Sequence, residues 1–411
     1  MAQGALPGFR DFYPEQLAER AHVMAVWRDV ARRYAFLEYD GPPLEPLDLY
    51  TRKSGEEIVG QLYNFVDKGE RDVALRPEMT PTLARMVGAK ANALRKPVRW
   101  FSMPQLFRYE RQQKGRLREH YQLNVDLIGE ADVTADAELM ACAIDIMRAF
   151  GLTPDDVVAR ISDRRILQAY LRAVGIDESS FPVVFAVVDK LERQPRDVSA
   201  DKLRAASLDT AQIDAVLDLA TTTLEQVRAR VTASDDVALL DDFARYMRYV
   251  STLVPNGGAW LRFDLTIVRG LAYYTGIVFE LFDRSGEFRA ICGGGRYDNL
   301  LSSLGGADLP ALGFGMGDVV LTELLRAKGL LKTTPAVADV WVLSDGASID
   351  AVMASAAELR AQGKSVEYAL RGQTFAKQQK AARSAGAREM VVVLDRALPA
   401  GDVVIPVHET P

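Results

Sequence analysis

Apolar positions along this chain keep two rhythms, one helical and one strand-like. Between residues 17 and 37, Val23, Trp27, Val30 and Tyr34 recur at the spacing of one helix face with arginines between them, which predicts an amphipathic helix. Three prolines within Tyr39-Asp-Gly-Pro-Pro-Leu-Glu-Pro46 then force extended geometry. Residues 98–110 and 121–128 are rich in β-branched, aromatic and aliphatic side chains. They read as two strands joined by a very polar loop, Arg111 to His120. Leu139, Ala143, Ile146 and Phe150 line one face of a predicted helix over 136–150, stopped by Gly151.

From about 155 to 250 helical patterns dominate, as in Asp163–Val174 and Thr210–Val231, and glycine is sparse. Strand signals return at 261–265, 277–282 and 288–292, with Asp283-Arg-Ser-Gly286 as a hairpin turn between the last two. A helix over 317–328 ends at Gly329. After Thr333-Thr-Pro335, strands at 337–343, 365–369 and 389–394 alternate with helices at 348–362 and 374–385, the pattern of a small parallel α/β domain. The expected class is therefore α+β. A largely antiparallel body comes from 1–150 and 251–330, a mainly helical insertion from 151–250, and an α/β domain from 335–411.

Composition narrows the class. The chain has 411 residues, 48% hydrophobic and 26% charged, which excludes a disordered or collagen-like protein. No uncharged apolar run approaches the roughly 18 residues of a membrane span. The first residues lack the basic and apolar parts of a secretion signal, so a cytoplasmic location and no membrane partner are expected. Two distant cysteines, Cys142 and Cys292, argue against a disulfide framework, and His22, His120 and His408 have no metal-ligand spacing. A net charge of −6 argues mildly against a polyanionic partner. Positive charge is nevertheless gathered at two places. Arg111, Lys114, Arg116 and Arg118 crowd one loop, and Arg371, Lys377, Lys380, Arg383 and Arg388 run without an acidic residue until Glu389. Such local surfaces suit nucleic acid.

Four stretches could carry chemistry. In Leu106-Phe-Arg-Tyr-Glu110 and the loop to Gln122, Arg108 ends an apolar strand, where its planar fork would suit a phosphate; a solvated hairpin tip is the alternative. Arg262 to Gly276 runs from a strand into Arg269-Gly270 and the paired Tyr273 and Tyr274, one of which could face a pocket; an ordinary core strand is the alternative. Cys292-Gly-Gly-Gly-Arg-Tyr-Asp298 and Gly313-Phe-Gly-Met-Gly-Asp318 suggest close backbone approach or merely tight turns before helices, and neither is a P-loop or a dinucleotide fingerprint. In Leu75-Arg-Pro-Glu-Met-Thr80, Glu78 and Thr80 could grip an ammonium group, or could cap a helix.

In this order and spacing the pieces resemble class II aminoacyl-tRNA synthetases, and among them the histidyl-tRNA synthetase family. The helix at 17–37 with Pro42 and Pro43 is similar to motif 1, Phe107-Arg-Tyr-Glu110 with its loop to motif 2, and Gly313–Gly317 with its helix to motif 3. Arg269-Gly-Leu-Ala-Tyr-Tyr274 and Gly293-Gly-Gly-Arg-Tyr-Asp298 resemble the two histidine-specific signatures. The resemblance implies a class II antiparallel catalytic body, a C-terminal anticodon-binding-like domain and a homodimer. It implies formation of histidyl-adenylate from L-histidine and ATP, with Mg²⁺ on the phosphates, and transfer to tRNA-His. Arg108 and Arg269 would be catalytic. Glu78, Thr80, Gln122, Asp126, Tyr274 and Tyr297 would hold histidine, and Arg108, Glu110 and Arg116 would hold ATP. Arg111, Lys114, Arg371, Lys377 and Lys380 would meet tRNA. Two departures stand out. Val320 occupies the position of a motif 3 arginine, and Asp126 stands where many members have glutamate; a branch found in plant organelles and some bacteria shares both. The alternative is a catalytically silent relative serving as regulatory subunit of ATP phosphoribosyltransferase. The retained arginines, tyrosines and C-terminal domain weigh against it.

Overall fold

Strand pairing settles where the β-rhythm leads. In the computed structural model, residues 4–51, 60–109, 115, 117–268, 274–304, 306–331, 337–394 and 403–406 are described. They form two units, Met1–Lys332 and Thr333–Pro411. The strands of the first unit are β1 (Leu37–Glu38), β2 (Leu44–Pro46), β3 (Asn64–Val66), β4 (Asp72–Leu75), β5 (Val98–Ser102), β6 (Gln105–Phe107), β7 (Glu119–Ile128), β8 (Val157–Asp163), β9 (Leu261–Phe263), β10 (Ile277–Asp283), β11 (Cys292–Arg296) and β12 (Ala311–Gly317). The main sheet runs β1-β5-β7-β12-β11-β10-β8-β9, and β6 also pairs with β7. From β5 to β8 every neighbouring pair is antiparallel, and only the outer pairs β1–β5 and β8–β9 are parallel. A small sheet, β2-β4-β3, stands beside it.

The face of the main sheet opposite the cavities rests on helices. Leu123, Val125 and Leu127 of β7 join a core with Val23, Trp27 and Val30 of the helix Pro14–Arg33 and with much of the helix Val133–Ala149. The first helix ends at Arg33 rather than 37, because Leu37 and Glu38 pair with Trp100 and Phe101. Tyr34 just beyond it donates from its hydroxyl to Asp145, 2.8 Å away. The helix Val133–Ala149 starts at Asp132, whose carboxylate accepts from the Thr134 N–H, a cap of about 1 kcal/mol.

Three expectations need correction. The stretch 151–250 contains β8, seven residues buried without exception and paired with β10 along its length. Its continuous burial hides the alternation that marks a half-exposed strand. The helix expected over 210–231 is two, Thr210–Leu217 and Leu224–Arg230, each started by its own capping box from Asp209 and Thr223. Both glycine runs are strands, β11 and β12, not turns before helices.

In the second unit β13 (Val340–Asp345), β14 (Val366–Tyr368), β15 (Glu389–Leu394) and β16 (Val403–Pro406) form the order β14-β13-β15-β16. The first three are parallel, as the βαβαβ pattern predicts, and β16 adds an antiparallel edge. In the helix Phe375–Ser384 the buried Gln378 bonds to both backbone groups of Ser344, which turns Lys377 and Lys380 outward. Arg371 is exposed in the loop before that helix. Among the described residues no helix is long and apolar enough to cross a membrane.

Candidate functional site

Strand β7 builds the site by simple alternation. Leu123, Val125 and Leu127 face the core, so His120, Gln122, Asn124 and Asp126 share the opposite face. Its neighbour β12 offers no side chain at the matching points: Gly313 pairs with Asp126 and Gly315 with Asn124. Next over, Gly293 pairs with Gly315 and Gly295 with Gly313. The result is a floor of bare backbone. A Cβ on Gly315 would lie 2.9 Å from the Gln122 side chain, and one on Gly313 would overlap the Asp126 carboxylate and sit 2.9 Å from the Tyr297 hydroxyl. The glycines are required by space, which answers why two such runs face each other.

Two chambers open on this floor. The smaller, of about 90 Å³, is lined by Glu78, Thr80, Arg108, Gln122, Asn124, Asp126, Tyr274 and Tyr297, with Gly293, Gly313, Phe314 and Gly315 beneath. All six side chains expected to hold histidine are therefore together, although they come from four separate stretches of sequence. The helix-capping alternative for Glu78 and Thr80 finds no support. The helix Thr80–Lys90 has Met79 at its N-cap and no side-chain cap bond. The segment that carries Glu78 is anchored two residues earlier. The buried Arg76 donates to Asp40 at 2.7 Å, to the Gly41 carbonyl at 2.8 Å and to the Gln105 carbonyl at 3.0 Å.

The larger chamber, about 520 Å³, includes Arg108, Leu117, His120, Gln122, Arg193, Glu280, Phe282, Arg289 and Val320 in its lining. That volume is within the roughly 300–1,000 Å³ of small-molecule sites. Arg108, Gln122, Gly293 and Gly315 line both chambers, so they mark the junction. Arg108 is aimed there by donating from Nε to the Pro77 carbonyl at 2.9 Å.

The two chambers differ in charge. The small one holds two carboxylates, Glu78 and Asp126, against the single guanidinium of Arg108 at the junction, and suits a cation. The large one holds three guanidinium groups against the single carboxylate of Glu280 among its described lining, and suits an anion. Burial raises the Asp126 carboxyl to about 7, opposed only in part by the hydroxyl that Tyr297 donates to it. Burial, with Arg108 and Arg10 nearby, holds the His120 imidazole down at about 3, so it is neutral at working pH.

Support comes from behind the floor. Arg296 of β11 turns away from the chambers and pairs with the buried Asp136 of the helix Val133–Ala149, with Nη1 reaching the Glu130 carbonyl at 3.0 Å. Burial raises Asp136 to about 6 even with Arg296 against it. Arg10 ties the rim, pairing with Glu119 at 2.6 Å and Asp318 at 2.9 Å. Asp318 also accepts from the Tyr121 N–H at 3.0 Å, which fixes the helix Asp318–Ala327 to β7.

Arg269, Glu110, Arg111, Lys114 and Arg116 lie outside the described residues, as does Tyr273. His120, Asn124, Arg193, Glu280 and Arg289 line the chambers and were not among the candidates. Period-two counting from Gln122 along β7 finds His120 and Asn124. Nothing local marks Arg193 or Arg289. Among the described residues no group of three or more His, Cys, Asp or Glu side chains could hold a metal ion.

Comparison with known proteins fits this architecture. A family model described as histidyl-tRNA synthetase matches residues 8–318. The chain is 46% identical over 390 residues to the histidine–tRNA ligase of Opitutus terrae, covering 93% of this chain and 89% of that protein. It is 40% identical over 389 residues to the chloroplastic/mitochondrial histidine–tRNA ligase of Arabidopsis thaliana, covering 94% and 79%. The fold matches the crystal structure of histidyl-tRNA synthetase from Nostoc sp. PCC 7120 with a TM-score of 0.82 at 23% identity, over 99% of this chain and 97% of that one. The chain is a class II synthetase by fold. It belongs to the histidyl-tRNA synthetase family.

Proposed function

We propose that the chain is a histidine–tRNA ligase. It joins L-histidine and ATP into histidyl-adenylate and pyrophosphate, then passes the histidyl group to the 3′ end of tRNA-His. The observation that carries this is the small acidic chamber opening onto a larger basic one, with Arg108 at the junction. A histidine with its ammonium group among Glu78, Thr80, Gln122 and Asp126, and its imidazole toward Tyr274 and Tyr297, directs its carboxylate to that junction. ATP in the large chamber brings its α-phosphate to the same place. Arg108 then neutralises the charge growing at phosphorus as the carboxylate attacks and pyrophosphate leaves. Holding the two reactants in line supplies much of the remaining acceleration. Arg269 acts there as a second fixed cation, and Glu110 and Arg116 complete the ATP contacts. No covalent enzyme intermediate is needed. In the second step a hydroxyl of the terminal ribose attacks the activated carbonyl and AMP departs.

Magnesium enters on the phosphates of its substrate ATP. The motif 2 loop, with Arg111 and Lys114, and the C-terminal unit, with Arg371, Lys377 and Lys380, form the tRNA-facing surfaces. In this reading 1–163 with 251–330 is the catalytic body, since β8 belongs to its main sheet, the helical stretch 164–250 is an insertion, and 335–411 is the anticodon-binding domain of a cytoplasmic homodimer. The relatives' names and the retained Arg108 disfavour the silent regulatory alternative. Histidine-dependent exchange of labelled pyrophosphate into ATP tests the proposal. Exchange is expected, and folded protein that gives none would overturn it.

A further inference from the structure

Arg108 lies where the two chambers meet, so its charge serves the α-phosphate and leaves the rest of a triphosphate to other groups. At the rim, the first turn of the helix Asp318–Ala327 turns only Val319 and Val320 toward the large chamber. Asp318, on the same turn, is already engaged by Arg10 and the Tyr121 N–H. That wall is apolar where a polyphosphate would need a cation. The cation comes from another element. Arg289, three residues before β11, lines the large chamber and also the adjoining hollow that it shares with Gly115, Val320 and Glu323. A Cβ on Gly115 would lie 3.3 Å from Val320 Cγ2 and 3.7 Å from Arg289 Cδ, so the stem of Arg289 passes beside Val320.

We propose that Arg289 binds the terminal phosphates of ATP, supplying from the β10–β11 connection the charge that the motif 3 helix lacks at Val320. Arg193, on the same chamber, adds a second cation. Arg289 is exposed while lining the chamber, which leaves it accessible to a phosphate entering from solvent. A contact to those phosphates is made about equally before and during the chemical step. It therefore acts on ATP affinity rather than on turnover.

This inference rests on the ligase reading, and the experiment separates the two. Histidine-dependent pyrophosphate exchange is measured for the wild type, Arg289→Ala, Arg289→Lys and Arg289→Ala/Val320→Arg, with inhibition by AMP as control. Loss of a charge-assisted contact is expected to raise the KM for ATP and for pyrophosphate about tenfold or more, with kcat changed far less. AMP, which lacks those phosphates, inhibits Arg289→Ala as it does the wild type. Arg289→Lys recovers part of the ATP affinity, and adding Val320→Arg to Arg289→Ala recovers it from the other side of the wall. An unaltered KM for ATP in Arg289→Ala, or an equal weakening of AMP, overturns the inference while leaving the ligase reading intact. A wild type without exchange overturns the ligase reading itself.

Discussion

Single residues here work through the charge their surroundings allow. The Asp126 carboxyl, raised by burial to about 7, is protonated in the folded state over a range where an unfolded chain would have lost the proton. It therefore contributes stability at low pH that is lost as pH rises from about 4 through 7. A bound ammonium group reverses the preference, because the carboxylate is then the better partner. Histidine affinity is expected to rise with pH through about 7 in the wild type, and Asp126→Asn should weaken histidine binding and flatten that limb. The KM for histidine between pH 5.5 and 8 checks this; matching profiles in the two proteins would contradict it. Arg296 teaches the opposite lesson. It belongs to a stretch that resembles a histidine-specific signature, yet it points away from the chambers to Asp136. Arg296→Met would leave that carboxylate buried and unpaired, at a cost of about 3–5 kcal/mol. Urea unfolding should show the loss, and an unchanged midpoint would mean the pair contributes nothing.

At the level of elements, legibility followed the side chains. The helices over 17–37 and 136–150, the strand over 121–128 and the C-terminal alternation were readable because apolar residues repeat at the period of each element. The β11 and β12 strands were not, since glycine carries no side chain to reveal a period and little intrinsic strand preference. Their pairing on both sides, with β10, with β7 and with each other, decides their form. β8 was missed for a different reason: seven buried positions give no alternation to count. The candidate site was half legible. Arg108, Gln122 and Asp126 lie on or beside recognisable strands, but Arg193 and Arg289 reach the chamber only through tertiary packing. The glycine floor yields its own prediction. In Gly313→Ala the new methyl group competes with Asp126 and Tyr297 for one space. Overpacking of that kind typically costs about 1–3 kcal/mol, so histidine affinity should fall by about one to two orders of magnitude. The KM for ATP should move much less. Equal losses for both substrates would show a general collapse of the sheet instead.

On the scale of the molecule, the two units divide the chain at Lys332. The described chambers lie wholly in the first unit, while the exposed Arg371, Lys377 and Lys380 lie in the second. Removal of 335–411 is therefore expected to spare pyrophosphate exchange and to impair charging of tRNA-His. Charging by the wild type should also weaken as salt is raised, since contacts of this kind release counterions. Full charging by the truncated chain would show that the tail does not engage tRNA. The bare backbone floor has one more consequence, for the lifetime of the protein. Gly293, Gly313 and Gly315 have no side chains to pack toward the chambers, so an occupant supplies contacts that the empty protein lacks. Ligand at a hundred times its dissociation constant adds about 2.7 kcal/mol to the folded state. A cell rich in histidine and ATP would thus hold this body in its protease-resistant form, and a starved cell would expose it to turnover, making supply of the amino acid a determinant of how long each copy survives.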